Sequence, residues 1–285
     1  MSALGHMGLL TKRLGVVCYQ SIMAWSDERY QHPDHCFSSE YIHLRDVQKH
    51  AKHLRRGFRD EELIKSFVDR VKMNTMGSYD GLATLVDQAR FCEEEGIEGA
   101  FVELGTWKGG CLGIMAQANL KFSNTRRELH GFDSFQGIPM PRADKDDMTW
   151  ATSEFRLSTS QCDGSLQPAH ALEASKSEVE ALLSTLGYPA VHVHLHAGWF
   201  QDTVPQDGAK IGPIAILRID GDLYDSYMIA LDHFWDNVVP GGFVIFDDWI
   251  LKGCREAVGD FFARRGIRAY LCHVDHSVRY MQKAS

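Results

Sequence analysis

The sequence predicts an α/β fold, a mostly parallel sheet with helices on both faces, and three observations carry that reading. From residue 99 onward, short apolar runs alternate with helix-like stretches. Alternation of this kind builds βαβ units, whose crossover helices cover both sheet faces and allow strands that are apolar throughout. Four of the five runs end in an acidic residue, Glu103, Asp133, Asp220 or Asp247. In an open parallel sheet, ligands bind beyond the carboxyl ends of the strands, so the acids fall where recognition occurs. The tail breaks the alternation, because 268–274 and 278–281 flank Asp275-His276-Ser277 and read as a closing antiparallel hairpin.

The elements follow in order. Residues 60–71 place Leu63, Ile64, Phe67, Val68 and Val71 on one face at helical spacing. Residues 79–95 repeat the theme with Leu82, Leu85, Val86 and Ala89, and Gly96 ends it. Residues 1–72 are expected to form an N-terminal cap, helical or irregular, and residues 73–285 the main domain. Strands are expected at 100–104, 128–132, 190–195, 214–219 and 242–246. Residues 140–175 are polar, carry Asp144, Asp146 and Asp147, and read as a mobile loop.

Composition excludes several classes. The 285 residues are 44% hydrophobic and 24% charged, ordinary for a globular protein, and the net charge of −8 speaks against a nucleic-acid partner. Seven cysteines, an odd number with no C-x-x-C pair, speak against a disulfide framework or structural zinc, and a reducing cytoplasm is the simplest setting. No apolar run reaches the ~18–20 residues that span a bilayer, so no membrane partner is expected.

The first strand leads into Glu103-Leu-Gly105-Thr-Trp-Lys-Gly109-Gly110. This spacing differs from the G-x-G-x-x-G dinucleotide fingerprint and puts a carboxylate at the turn. A carboxylate suits a ligand with an ammonium group, such as the methionine part of S-adenosylmethionine; an unspecific strand–helix turn is the plainer alternative. Asp133 lies 28 residues after Gly105, where an acid at the next strand end accepts hydrogen bonds from ribose hydroxyls, unless it only caps its turn. Trp199 or Phe200 can stack on an adenine ring or serve as core. His192, His194 and His196 share one strand face and are read as lying against a helix or an exposed edge.

The fourth and fifth runs end in Asp220-Gly-Asp222 and Asp247-Asp248. Gathered carboxylates repel and raise one another's pKa. A hard divalent cation offsets that cost, and Mg²⁺ typically takes few carboxylates and fills its octahedron with water or substrate. Asp220, Asp247 and Asp248 are therefore candidate metal ligands and Asp222 a candidate general base. The competing reading has these acids capping helices or pairing with Arg218 and Lys252.

Taken together, these blocks resemble the macrocin O-methyltransferase family, with the mycinamicin and novobiocin sugar methyltransferases as relatives. The landmarks are Thr75-Met76, 103–110, 131–139, 198–205, 220–226, 240–249 and Gly253-Cys-Arg255-x-Ala257-Val258, over most of residues 73–281. The resemblance implies a class I methyltransferase fold, Rossmann-like, with a mostly parallel seven-stranded sheet. It also implies S-adenosylmethionine as donor, S-adenosylhomocysteine as product, and Mg²⁺. By position, Glu103, Gly105 and Asp133 fall where the family holds the methionine and ribose parts; Thr75, Met76, Ser134, Phe200 and Asp220 border that site. Asp220, Asp247 and Asp248 match the metal-binding aspartates and Asp222 the base. The acceptor implied is a hydroxyl, one of a vicinal pair on a sugar or other polyhydroxylated natural product, and a homo-oligomer is expected. Residues 140–190 are longer than the usual family segment, and the first seventy residues find no counterpart. A metal-dependent hydrolase would use the same aspartates but leave Glu103 and Asp133 without a task. A non-catalytic nucleoside-binding module would ordinarily have lost one of the four aspartates, and the glycine spacing disfavours a nicotinamide-dependent oxidoreductase.

Overall fold

A computed structural model of the chain describes residues 61–154 and 156–284, so most of the expected cap lies outside the described residues. The chain divides into two units, Met1–Asp69 with Met76–Tyr79, and Arg70–Thr75 with Asp80–Ser285. In the first, the described residues are 61–69, within helix α1 (Glu61–Val71), and Met76–Tyr79, and Glu61 accepts the hydroxyl of Tyr79 at 2.5 Å. Ile64 and Phe67 of α1 are buried, as their spacing predicts.

The second unit holds a seven-stranded sheet in the order β3-β2-β1-β4-β5-β7-β6. After α2 (Tyr79–Glu94) come β1 (Ala100–Leu104), α3 (Gly110–Phe122) and β2 (Leu129–Asp133). Next are α4 (Met148–Glu154), α5 (Lys176–Leu186), β3 (Val193–Ala197), α6 (Phe200–Asp207), β4 (Ile214–Ile219) and α7 (Tyr224–Phe234). The chain closes with β5 (Val238–Phe246), α8 (Lys252–Arg265), β6 (Cys272–His273) and β7 (Arg279–Gln282). The first five strands run parallel, and β7 pairs antiparallel with both β5 and β6.

Burial explains why the strands read as they do. Every residue of β1 and β4 is buried, because these central strands are covered on both faces. Phe132, Tyr227, Phe234, Phe246 and Phe261 fill the layer between sheet and helices. Helix α3 is buried at every residue from Gly110 to Asn119, which is why it shows no polar stripe. The strand order reverses between β1 and β4, and the crevice at that reversal is where this architecture receives ligands.

Three expectations need revision. The third strand begins at Val193, after a 3-10 turn over Ala190–His192, and is only half-buried because it lies at the sheet edge. The fifth begins at Val238 rather than at 242, and its register with β4 shifts at an irregularity between Ile214 and Ile216, which takes up the extra residues around Pro240 and Gly241. The segment read as a mobile loop packs on its own small core, with Ile138, Ala151, Leu157, Cys162, Ala169 and Ala171 buried together. Bridges join Pro139 to Pro168 and Arg142 to Asp163. Among the described residues, no helix is long and apolar enough to cross a membrane, and Cys92, Cys111, Cys162, Cys254 and Cys272 are free thiols.

Candidate active site

The carboxyl ends of β1, β2, β4 and β5 bring the acids together through the sheet ladder itself. Asp220 donates its N–H to the Leu104 carbonyl at 2.8 Å, and Asp247 donates to Ile219 at 3.0 Å, so the pairing continues one residue past the strands. Gly105 donates to Phe132 at 2.8 Å. Gly105 has φ +85°, and a Cβ there would stand 1.7 Å from the Asp220 carbonyl oxygen, so only glycine allows the two turns to approach.

Arg218 organises the carboxylates. It is the register partner of Glu103 and is 4% exposed, in an otherwise apolar strand. One guanidinium nitrogen donates to Glu103 at 2.7 Å and to Asp220 at 2.9 Å; the other meets Asp247 at 2.7 Å. The pairing once set against metal binding is therefore real for Arg218. One cation does not balance Glu103, Asp220 and Asp247 with Asp222 and Asp248 beside them. Oxygens of Asp220, Asp247 and Asp248 lie within 4.8 Å of one another and can hold a metal ion. Three hard oxygen donors with excess negative charge fit Mg²⁺.

The electrostatics follow from burial. Burial pushes Glu103 up to about 8 against the pull of Arg218, and Asp247 up to about 7 on the same balance. Burial pushes Asp222 and Asp248 well above the usual carboxylate range, and Asp220 and Asp247 add to the rise at both. One Glu103 oxygen is buried without a hydrogen-bond partner, as suits a group that awaits a donor.

Asp133 ends β2, and its two oxygens accept the backbone N–H groups of Trp107 and Phe135, each at 2.7 Å. It thereby ties the glycine loop to the turn after β2. Ser134 shapes that turn, donating to the Gly137 carbonyl at 2.6 Å and accepting the Gln136 N–H at 2.9 Å. Phe200 opens α6, and its ring would lie 3.4 Å from a Cβ on Gly221. Thr75 sits at the start of α3, its hydroxyl 3.8 Å from the Cys111 sulfur. Met76 belongs to the first unit. Asp222 has φ +59° and donates its N–H to Asp248 at 2.9 Å; the Tyr227 hydroxyl lies 2.9 Å from the same Asp248 oxygen.

The profile of the family described as macrocin-O-methyltransferase (TylF) matches residues 6–283, so residues 6–70, read above as without a counterpart, also fall within the family match. The chain belongs to this family. It is accordingly an O-methyltransferase of the sugar and natural-product kind. A tetracenomycin rhamnosyl 4'-O-methyltransferase of Streptomyces olivaceus is 34% identical over 67% of this chain and 69% of its own. Mycinamicin III 3''-O-methyltransferase of Micromonospora griseorubida is 32% identical over 67% and 71%. The solved O-methyltransferase NovP shares 29% identity and a TM-score of 0.61, covering 74% of this chain and 83% of its own. Calicheamicin methyltransferase CalS11, at 18% identity and a TM-score of 0.57 over 86% and 93%, shows the shared fold. That fold is the class I methyltransferase fold.

For this family member, sequence reasoning named the acids but missed how they are held. Arg218 carried a legible signal, since a charge inside the apolar run 214–219 must find buried partners. Tyr227 and Asp146, a buried acid 78 positions from its partner Tyr224, carried none.

Proposed function

We propose that the enzyme transfers a methyl group from S-adenosylmethionine to a hydroxyl of a sugar or similarly polyhydroxylated natural product, with Mg²⁺ at the acidic rim. The observation that supports it most is the cluster of Asp220, Asp247 and Asp248 oxygens, set against the glycine turn through the Gly105–Asp220 contact. The curated relatives named above methylate hydroxyls of glycosylated natural products, which supports the acceptor class.

In this reading Glu103 receives the donor's ammonium group with its unpartnered oxygen, and Asp133 accepts the ribose hydroxyls on lone pairs left by Trp107 and Phe135. Thr75, Ser134 and Phe200 would border the nucleoside. Asp220, Asp247 and Asp248 would hold Mg²⁺, which when bound would supply positive charge and Lewis acidity beside Asp222 and the acceptor hydroxyl. Asp222 would take the proton of the acceptor hydroxyl, and S-adenosylmethionine, when bound, would supply the activated methyl and leave as S-adenosylhomocysteine. Orientation by the pocket supplies much of the acceleration, because the methyl is already activated. A vicinal diol would offer such a cation more than one oxygen, which would favour a sugar over an isolated alcohol. A dimer or higher assembly belongs to the same reading, through the family.

The test is S-adenosylhomocysteine formation with a panel of deoxysugar glycosides bearing adjacent free hydroxyls. Activity should vanish in EDTA and return with Mg²⁺. Full turnover without metal would contradict the cation's role and leave the fold untouched.

A further inference from the structure

We infer that Asp146 is a positioning residue that holds the proposed base and metal ligands in place from the 138–172 excursion; the inference rests on the metal reading above. The turn it supports is strained. The Leu223 N–H closes on the Gly221 carbonyl at 2.6 Å, which puts Asp222 at the centre of a three-residue turn with φ +59°. Such turns are rare for a residue with a side chain and persist only where surrounding groups over-determine them. Two buried carboxylates do so here. On one side, Asp248 accepts the Asp222 N–H at 2.9 Å.

On the other side stands Asp146, 4% exposed. Helix α7 begins at Tyr224, and the residue before it, Leu223, has no side chain able to cap it. One Asp146 oxygen accepts the Tyr224 N–H at 2.8 Å, and so supplies from 78 positions away the cap the helix lacks. The other oxygen accepts the Arg142 N–H at 2.7 Å, which ties this cap to the excursion. Gly253 leaves the space: a Cβ there would stand 2.2 Å from the accepting Asp146 oxygen and 2.8 Å from the Tyr224 nitrogen.

The surface around this bond is anchored separately. Arg142 pairs with Asp225 at 2.9 Å and Lys145 with Asp260 at 3.1 Å, while the Lys145 ammonium sits 4.3 Å from the Tyr224 ring centroid. These pairs are exposed and screened, so they fasten the excursion without fixing the turn. If the Tyr224 cap is lost, the turn at Asp222 relaxes, and Asp248 loses one of the two donors that hold its carboxylate beside Asp220 and Asp247.

The experiment measures Mn²⁺ affinity by electron paramagnetic resonance, and S-adenosylhomocysteine affinity and thermal midpoint alongside, for the full-length protein and three variants. Asp146→Asn removes the charge and one of the two acceptors; Gly253→Ala keeps the charge and displaces the carboxylate; Lys145→Ala loosens only the surface. Mn²⁺ affinity should fall about tenfold in the first two and hold in the third, with nucleoside affinity within about twofold throughout. Wild-type affinity in Asp146→Asn and Gly253→Ala overturns the inference alone. So does a loss confined to Asp146→Asn, which assigns the effect to charge, or an equal loss in Lys145→Ala, which assigns it to general loosening. Should Asp146→Asn fail to fold, Gly253→Ala carries the test. A wild-type protein that binds no Mn²⁺ overturns the metal reading and this inference together.

Discussion

At the scale of single residues, the site is a problem of burying negative charge. Glu103, 1% exposed, would carry a large desolvation cost without Arg218, and Arg218 would carry the same cost without its three carboxylates. Removing one partner of a buried pair costs about 3–5 kcal/mol, so the group stands or falls as a unit. Asp222 differs from these acids, since among the described residues its side chain meets no such cation and its pKa is driven well up by burial and by Asp220 and Asp247. An acid in that state is a poor base until positive charge arrives beside it, so in the proposed mechanism the base would depend on the metal. Asp222→Asn should therefore lower turnover by orders of magnitude while S-adenosylmethionine affinity by calorimetry stays near normal. Unchanged turnover would move the base elsewhere.

At the scale of elements, the edge of the sheet at β2 and β3 sets out a row of imidazoles. His130 stacks on His194 with centroids 4.7 Å apart, and its ring nitrogen lies 3.1 Å from that of His196, which in turn meets Asp207. Burial holds His130 down to about 4, helped by His194 and His196 and opposed by Glu128. Between about 4 and the ordinary histidine value near 6.5, the unfolded chain binds a proton here that the folded one does not. His130's own contribution is thus complete above that window and is lost as pH falls through it. In an NMR titration of the folded protein, His130 should stay neutral down to pH ~5; a midpoint near 6.5 would contradict the stacked arrangement. The sequence showed that His192, His194 and His196 share a face, because period-2 spacing is local. It did not show that Glu128 clasps His192 at 2.7 Å and His194 at 2.6 Å, because strand register is set by the whole sheet.

Across the whole molecule, the parallel core and its acidic rim were legible because βαβ alternation fixes where strand ends fall, and chemistry accumulates there. What escaped had a common physical cause: it depends on pairings between distant segments. The 138–172 excursion is polar enough to read as a loop, yet Ile138, Ala151 and Leu157 meet only once the chain folds back through its Pro139–Pro168 bridge. Arg218 was visible as a charge in an apolar strand, whereas its grip on three carboxylates from three strands was not.

The most direct test of the account is a crystal structure of the protein with S-adenosylhomocysteine and Mg²⁺ bound. The cation should refine among Asp220, Asp247 and Asp248, the ribose hydroxyls on Asp133, and the product's ammonium group against Glu103. A cation bound away from those three aspartates, or a nucleoside outside the crevice between β1 and β4, would contradict it.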